Sequence, residues 1–215
     1  MGVSWMDAIA RALKFLVGML WNPSSVPSEF FLPLACDIWT LLGLYWILYA
    51  LRTKPVKSRE SFGQQLGYLF PLAFGFTLLF SSRAHYSWLG MRFAPDTIVV
   101  GVTGLVLTAA GAALAMWSRS VLGENWSAIA SIRKDHELIR MGPYRTMRHP
   151  IYTGMLLGLL GTALVVGEVR GLVALVIMWI GFYLKARKEE AFLSREFGAG
   201  FEAHAKYTGM FLPRV

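Results

Sequence analysis

Residues 97–117 contain no charged side chain. As a helix, a run of that length crosses the roughly 30 Å hydrocarbon core of a bilayer, and nothing else in the chain limits its fold so strongly. Four further apolar runs accompany it. Residues 30–51 carry Asp37 as their only charge, and residues 62–80 are interrupted by Gln64, Gln65 and Pro71. Residues 150–166 and 171–184 are short, with Gly167, Glu168 and Arg170 in the small gap between them. That pair reads as a tight helical hairpin, with a re-entrant hairpin as the alternative. The sequence therefore predicts an all-α, polytopic membrane bundle of about five spans. Charged residues make up 16% of the chain, against about 25% in an ordinary soluble domain, which leaves too little polar surface for a soluble globule. An aromatic content of 14% excludes a disordered chain. One cysteine, Cys36, excludes a disulfide framework and a cysteine zinc site.

The first 29 residues read differently. Trp5, Ile9, Leu13, Leu16 and Leu20 recur every three or four residues, with Asp7, Arg11 and Lys14 elsewhere on the wheel. That pattern predicts an amphipathic helix lying in the interface, with a sixth, imperfect span as the alternative. The same three charges occupy the place of an uncharged signal-peptide core, so no cleavable leader is expected. The division expected is an interfacial segment over 1–29, transmembrane helices over 30–117, and a polar region with hairpin and tail helix over 118–215. Lys and Arg concentrate in three segments: after the first span, between the third and fourth, and after the fifth. These hold 16 of the 21 basic residues. In a five-span topology they share one side, which the positive-inside rule makes cytoplasmic. The net charge of +8 then points to membrane lipids rather than to nucleic acid.

Two polar clusters flank the hairpin. Upstream, Gly142-Pro143 marks a turn, and Pro150 suits the first position of a helix, which places His149 near its N-cap. A helix N-terminus with Arg148 beside it can receive an anion. Downstream, Lys185, Arg187 and Lys188 precede the adjacent carboxylates Glu189 and Glu190. Hairpin geometry returns the end of the fifth span to the start of the fourth, so Arg148 and His149 can meet Glu189 or Glu190 at one depth. A site with an anion-binding end and a cation-binding end suits a zwitterion.

The stretch G-P-Y-R-T-M-R-H-P-I-Y-T-G over residues 142–154, with H-E-L-I upstream at 136–139 and E-E-A-F-L-S-R-E-F-G downstream at 189–198, resembles the isoprenylcysteine carboxyl methyltransferases and related membrane phospholipid methyltransferases. The resemblance runs over about residues 118–213. It implies a membrane enzyme that uses S-adenosyl-L-methionine, with His136, Leu138, Ile139, Tyr144, His149, Pro150, Ile151, Tyr152 and Glu189 around the cofactor. It also implies a substrate-side arginine where Lys185 stands here; Arg187 is the nearest arginine. Arg148 and Glu190 are the catalytic candidates. No metal is implied, and His136 has no partner pattern for one.

The residue types suit that chemistry. Glu189 can take the cofactor's amine, the helix N-terminus with Arg148 or His149 its carboxylate, and Tyr144 and Tyr152 can offer ring faces to its sulfonium. A carboxylate acceptor needs no base, whereas an amine needs one, for which Glu190 or His149 would serve. The acceptor expected is lipophilic and drawn from the bilayer, with an isoprenylcysteine-like carboxylate favoured over a phospholipid amine. Plainer readings stand beside these. Arg148 and His149 can be interfacial anchors, Tyr152 part of an aromatic belt, and Lys185, Arg187 and Lys188 ordinary positive-inside residues. Leu193, Phe197 and Phe201 would dock the tail helix. Asp37 is a candidate by its place inside a span, and Asn125-Trp126 either closes the cofactor pocket or forms a loop. An NADPH-dependent sterol-type reductase and a non-catalytic membrane protein are the competing classes.

Overall fold

The computed structural model describes residues 28–50, 56–59, 61–81, 84, 86–126, 131–133 and 138–214. The expected N-terminal amphipathic segment and His136 lie outside them. Six helices are described: α1 (Ser28–Ala50), α2 (Phe62–Phe80), α3 (Ile98–Leu122), α4 (Pro150–Val166), α5 (Val169–Phe197) and α6 (Ala199–Tyr207). α1, α3 and α5 are long and apolar enough to cross a membrane, and α4 is apolar but has 17 residues. The helical expectation needs one addition, because β1 (Val56–Arg59) pairs antiparallel with β2 (Ser131–Arg133). That ribbon joins the segment after α1 to the segment after α3, so the two lie on one face of the bundle.

α3 and α4 approach through glycine. A Cβ on Gly111 would overlap the backbone of Gly154 and Gly158, and one on Gly154 would come within 2.6 Å of Gly111 O. Small residues let helix backbones meet where lipid offers no hydrophobic drive for association. Polar groups reinforce the seam. Thr108 Oγ1 donates to Gly104 O at 2.9 Å and lies 3.3 Å from Thr162 Oγ1, which accepts from Trp39 Nε1 of α1 at 2.9 Å. α2 packs on α5, where Gly75 faces Met178 and Gly181 faces Leu72.

The α4–α5 hairpin turns at Gly167, whose left-handed φ of 66° suits glycine because it has no Cβ. Glu168 and Arg170 close this end with a buried ion pair at 2.7 Å, and Arg170 Nη1 donates to Ser81 O at the end of α2. At the opposite end Arg119 is wholly buried. Its guanidinium donates to Gly123 O (2.6 Å) and Tyr49 O (2.9 Å) and lies 4.5 Å from the centre of the Trp126 ring. Trp126 packs against the core cluster that contains Ile151 and Tyr152, which gives it a wall position beside the hairpin mouth.

The expected fifth span ends at Leu184, with a separate tail helix beyond. α5 instead continues unbroken through the Lys185–Glu190 cluster to Phe197. Lys, Ala, Arg and Glu are all strong helix formers, so nothing stops the helix before Gly198, which takes φ 49°. α6 then folds back, with Phe201 buried beneath it.

Candidate functional site

The site forms where the start of α4 meets the C-terminal half of α5. The turn Gly142–Arg145 leads into Thr146–His149, and His149 caps α4 with Pro150 at the first position. Pro150 has no amide hydrogen to lose there. The first helical amide in the ladder is Thr153 N, bonded to His149 O at 3.1 Å, so the amides of Ile151 and Tyr152 stand ahead of it.

The two glutamates divide the cluster between them. Arg148 Nε donates to Glu190 Oε1 at 2.6 Å, and the same oxygen lies 3.2 Å from His149 Nε2. Tyr152 Oη donates to Glu189 Oε1 at 2.7 Å, His149 Nδ1 lies 3.6 Å from Glu189 Oε2, and Lys185 Nζ lies 3.9 Å from Glu189 Oε1. The predicted meeting of the hairpin's two ends is therefore present, with His149 facing both carboxylates. The His149 ring lies nearly parallel to Tyr152, centroids 5.3 Å apart, and Tyr152 stacks in turn on Phe182 at 5.0 Å. Offset ring contacts of this kind fix side-chain orientation as well as burying area.

The sequence did not disclose the strap that crosses this cluster. Residues 208–214 lie along 146–153: Arg148 N donates to Gly209 O (2.8 Å), His149 N to Met210 O (3.0 Å), and Gly209 N and Arg214 N to Thr146 O (3.1 and 3.0 Å). Thr153 Oγ1 donates to Phe211 O at 2.6 Å. These bonds are mostly main chain to main chain, so the only trace in the sequence is the apolar Met210-Phe211-Leu212 after the tail helix. Arg148 holds the strap from within. Its Nη1 donates to Thr208 O and to Ala205 O, the latter at 3.3 Å. Nε and Nη1 of Arg148 thus engage Glu190 and two carbonyls, so that Arg148 clamps the strap to the cluster.

The other candidates are placed as follows. Pro150, Ile151, Tyr144 and Lys185 are buried, and Leu138 and Ile139 are half-buried. Burial pushes the Tyr144 phenol well above its ordinary pKa, and the nearby Glu189 charge adds to this. Arg187 is exposed, because it sits two residues, about 200° of helix, from Lys185. Lys185, not Arg187, therefore faces the cluster. On α6, His204 is held below the ordinary histidine pKa by burial and by the Arg140 and Arg148 charges. Asp37 is exposed on α1. Among the described residues no group of three or more His, Cys, Asp or Glu side chains is arranged to hold a metal. Beside the strap, an apolar groove of about 790 Å³ runs between α4 and α5, with Leu157, Leu160, Val176 and Trp179 in its walls.

Several proteins are similar to part of this chain. A probable protein-S-isoprenylcysteine O-methyltransferase of Oryza sativa subsp. indica is 31% identical over 119 residues, 54% of this chain and 62% of its own length. The protein-S-isoprenylcysteine O-methyltransferase of Schizosaccharomyces pombe is 32% identical over 96 residues, 43% of this chain and 41% of its own length. Another relative is the cobalt-zinc-cadmium resistance protein CzcN of Cupriavidus metallidurans, 30% identical over 133 residues, 61% of this chain and 56% of its own length. The chain thus spans about half the length of the relatives it matches. Residues 99–200, which hold α3, the hairpin, the Arg148–His149 pair and the double glutamate, match the phospholipid methyltransferase family.

Proposed function

We propose that this chain is an integral membrane methyltransferase that uses S-adenosyl-L-methionine and methylates a lipophilic acceptor, with an isoprenylcysteine-like carboxylate as the acceptor group. The observation that carries this reading is the division of Glu189 and Glu190 among Tyr152, His149, Lys185 and Arg148 at the mouth of the hairpin, within the region that matches the methyltransferase family. The donor set fits the cofactor. Glu189 is a carboxylate for its amine, the Ile151 and Tyr152 amides ahead of the helical ladder suit its carboxylate, and the Tyr152 ring face suits a sulfonium. Leu138, Ile139 and Tyr144 would wall the adenosine side. When bound, S-adenosyl-L-methionine supplies the activated methyl group.

The chain's own part is to align the reactants and exclude water. Arg148 and the strap hold α4 and α6 together over the cluster. Glu190, expected as a base, is ion-paired to Arg148, and His149 turns both ring nitrogens toward carboxylates. Paired in this way, Glu190 is a poor base for an amine. That favours an acceptor already ionised, a carboxylate, over the amine that the family's phospholipid name suggests. In the bilayer we place five spans with the site facing the cytoplasm, because 16 of the 21 basic residues fall in the three sequence segments after the first, third and fifth spans, and the β1–β2 ribbon joins the first two of these.

Calorimetric titration of S-adenosylhomocysteine tests the cofactor site. Glu189→Ala should weaken binding by a charged hydrogen bond, about 1.5–3 kcal/mol, and a negligible loss would count against it. A radiolabelled methyl-transfer assay tests the acceptor. An acid with a long apolar chain should be labelled and its truncated counterpart ignored, because each buried CH₂ contributes about 0.8 kcal/mol. Equal labelling of both would defeat the lipophilic-acceptor reading.

A further inference from the structure

The groove beside the strap is a different space from the cluster. It runs between α4 and α5 over about 790 Å³, with Leu156, Leu160, Val176 and Trp179 along its sides and Gly209–Leu212 of the strap closing its end. The strap is thus a shared wall. Phe211 lines the groove and also lies against His149, ring centres 6.1 Å apart, and its carbonyl accepts from the Thr153 hydroxyl. Among the described residues that line the groove, none of His149, Tyr152, Glu189 or Glu190 occurs. A chain seated there reaches the back of the strap and not the carboxylates.

What covers the groove follows from its surroundings. α5 is long and apolar enough to cross a membrane, and the groove continues into its outer face, where Val176, Trp179 and Ile180 are exposed. Leu160 of α4 and Leu212 of the strap are exposed as well, Leu212 at 75%. A continuous apolar surface on a helix of that length belongs against acyl chains. The strap end has the opposite chemistry. Arg214 N donates to Thr146 O at 3.0 Å, so Arg145 and Arg214 leave the chain at adjoining points just past the groove. Both side chains are exposed, and among the described residues neither has an ion-pair partner. Guanidinium groups match phosphate with a planar fork. An apolar groove that ends at two such groups suits a phospholipid with an anionic headgroup.

We propose that the α4–α5 groove binds an anionic phospholipid, its acyl chain along Leu160, Val176 and Trp179 and its headgroup at Arg145 and Arg214, and that this lipid backs the strap over the cluster. The lipid is a resident of the fold and not the methyl acceptor. The site rests on α4 and α5 lying in a bilayer and needs neither cofactor nor reaction. Because the strap forms the end wall, the groove is complete only when the strap is seated, and a ligand that binds only the seated form holds it there. In the test, purified full-length protein is stripped of lipid in a mild detergent. It is then titrated with phosphatidylglycerol, with phosphatidylcholine of the same chains, and with glycerol phosphate, which is the anionic headgroup without chains. Native mass spectrometry counts bound lipid, and hydrogen exchange reads the amides of Arg148, His149, Gly209 and Arg214.

Phosphatidylglycerol should be retained more tightly than phosphatidylcholine and should slow exchange at those amides, and glycerol phosphate should do neither. Arg145→Gln and Arg214→Gln should each lose roughly fivefold in phosphatidylglycerol affinity, the scale of one arginine at an anionic lipid surface, with phosphatidylcholine unchanged. Arg195→Gln, which removes an exposed charge from the last turn of α5, should have no effect. Val176→Trp should fill the groove from its exposed wall and abolish retention of both lipids without a change in thermal midpoint. Equal affinity for the two lipids, retention by Val176→Trp, a matching loss in Arg195→Gln, or strap exchange indifferent to lipid would each overturn the site. So would protection by glycerol phosphate alone. Displacement of the lipid by an isoprenoid acid would make the groove the acceptor's, and a dimer in place of the lipid adduct would make it a contact between copies; either result overturns the proposal. S-adenosylhomocysteine binding, measured separately, decides the methyltransferase reading and leaves the lipid site untouched.

Discussion

Replacing Arg148 by alanine should release the strap while leaving the bundle folded. The Arg148 and Glu190 side chains are each 14% exposed and meet at 2.6 Å. Removing one partner of a largely buried pair costs roughly 3–5 kcal/mol, because the other charge is left without compensation. The carbonyls of Thr208 and Ala205 lose their shared donor at the same time. The main-chain bonds between 146–149 and 209–214 remain, so the cost falls on the local docking of α6 and the strap rather than on α1 to α5. At 1.36 kcal/mol per tenfold, 3 kcal/mol corresponds to roughly a hundredfold gain in the open population. Hydrogen exchange followed by mass spectrometry should show that gain at the amides of Arg148, His149, Gly209 and Arg214, with α3 and α4 unchanged. Arg148→Lys should rescue little, because an ammonium cannot serve Glu190 and two carbonyls with one planar fork. Protection in Arg148→Ala within twofold of wild type would refute the clamp.

Two further outcomes follow from the packing and the topology. Gly111→Ala should lower the thermal midpoint by several degrees, because its Cβ would overlap the backbone of α4 at Gly154 and Gly158 and overpacking costs about 1–3 kcal/mol; an unchanged midpoint would show that the seam can yield. In a Cys36→Ala background, a membrane-impermeant thiol reagent applied from outside should label Ser87→Cys and spare Ser131→Cys, and the reverse pattern would sink the proposed orientation and the cytosolic site together.

The hairpin and its two polar ends were legible in the sequence because each signal there is local. Pro150 starts a helix, Gly167 ends it, and the short apolar runs oblige the ends to return to one depth. That was enough to bring His149 and Arg148 to Glu189 and Glu190. The strap was not legible, because main-chain bonds between 146–149 and 209–214 leave no side-chain signature. Nor was the groove beside it, because its end wall is that same strap. The ribbon joins strands of four and three residues separated by more than seventy positions. The end of the fifth helix has a different cause: the charges after Leu184 read as a helix end, but they end only its apolar part. For want of the strap, the sequence also did not show that Arg148 holds the carbonyls of Thr208 and Ala205.

The unbroken course of α5 ties the two membrane faces together. Glu189 stands twenty residues beyond Val169 on one continuous helix, about 30 Å along its axis, close to the thickness of the hydrocarbon core. At the far end the rod is fixed by Arg170, bonded to Glu168 and to the last turn of α2. No loop lies between that anchor and the carboxylate to absorb a change in length. On the proposed topology the depth of the cluster is therefore gauged from the opposite leaflet, and a bilayer that thins or thickens must tilt the whole rod, carrying Glu189 and Lys185 with it.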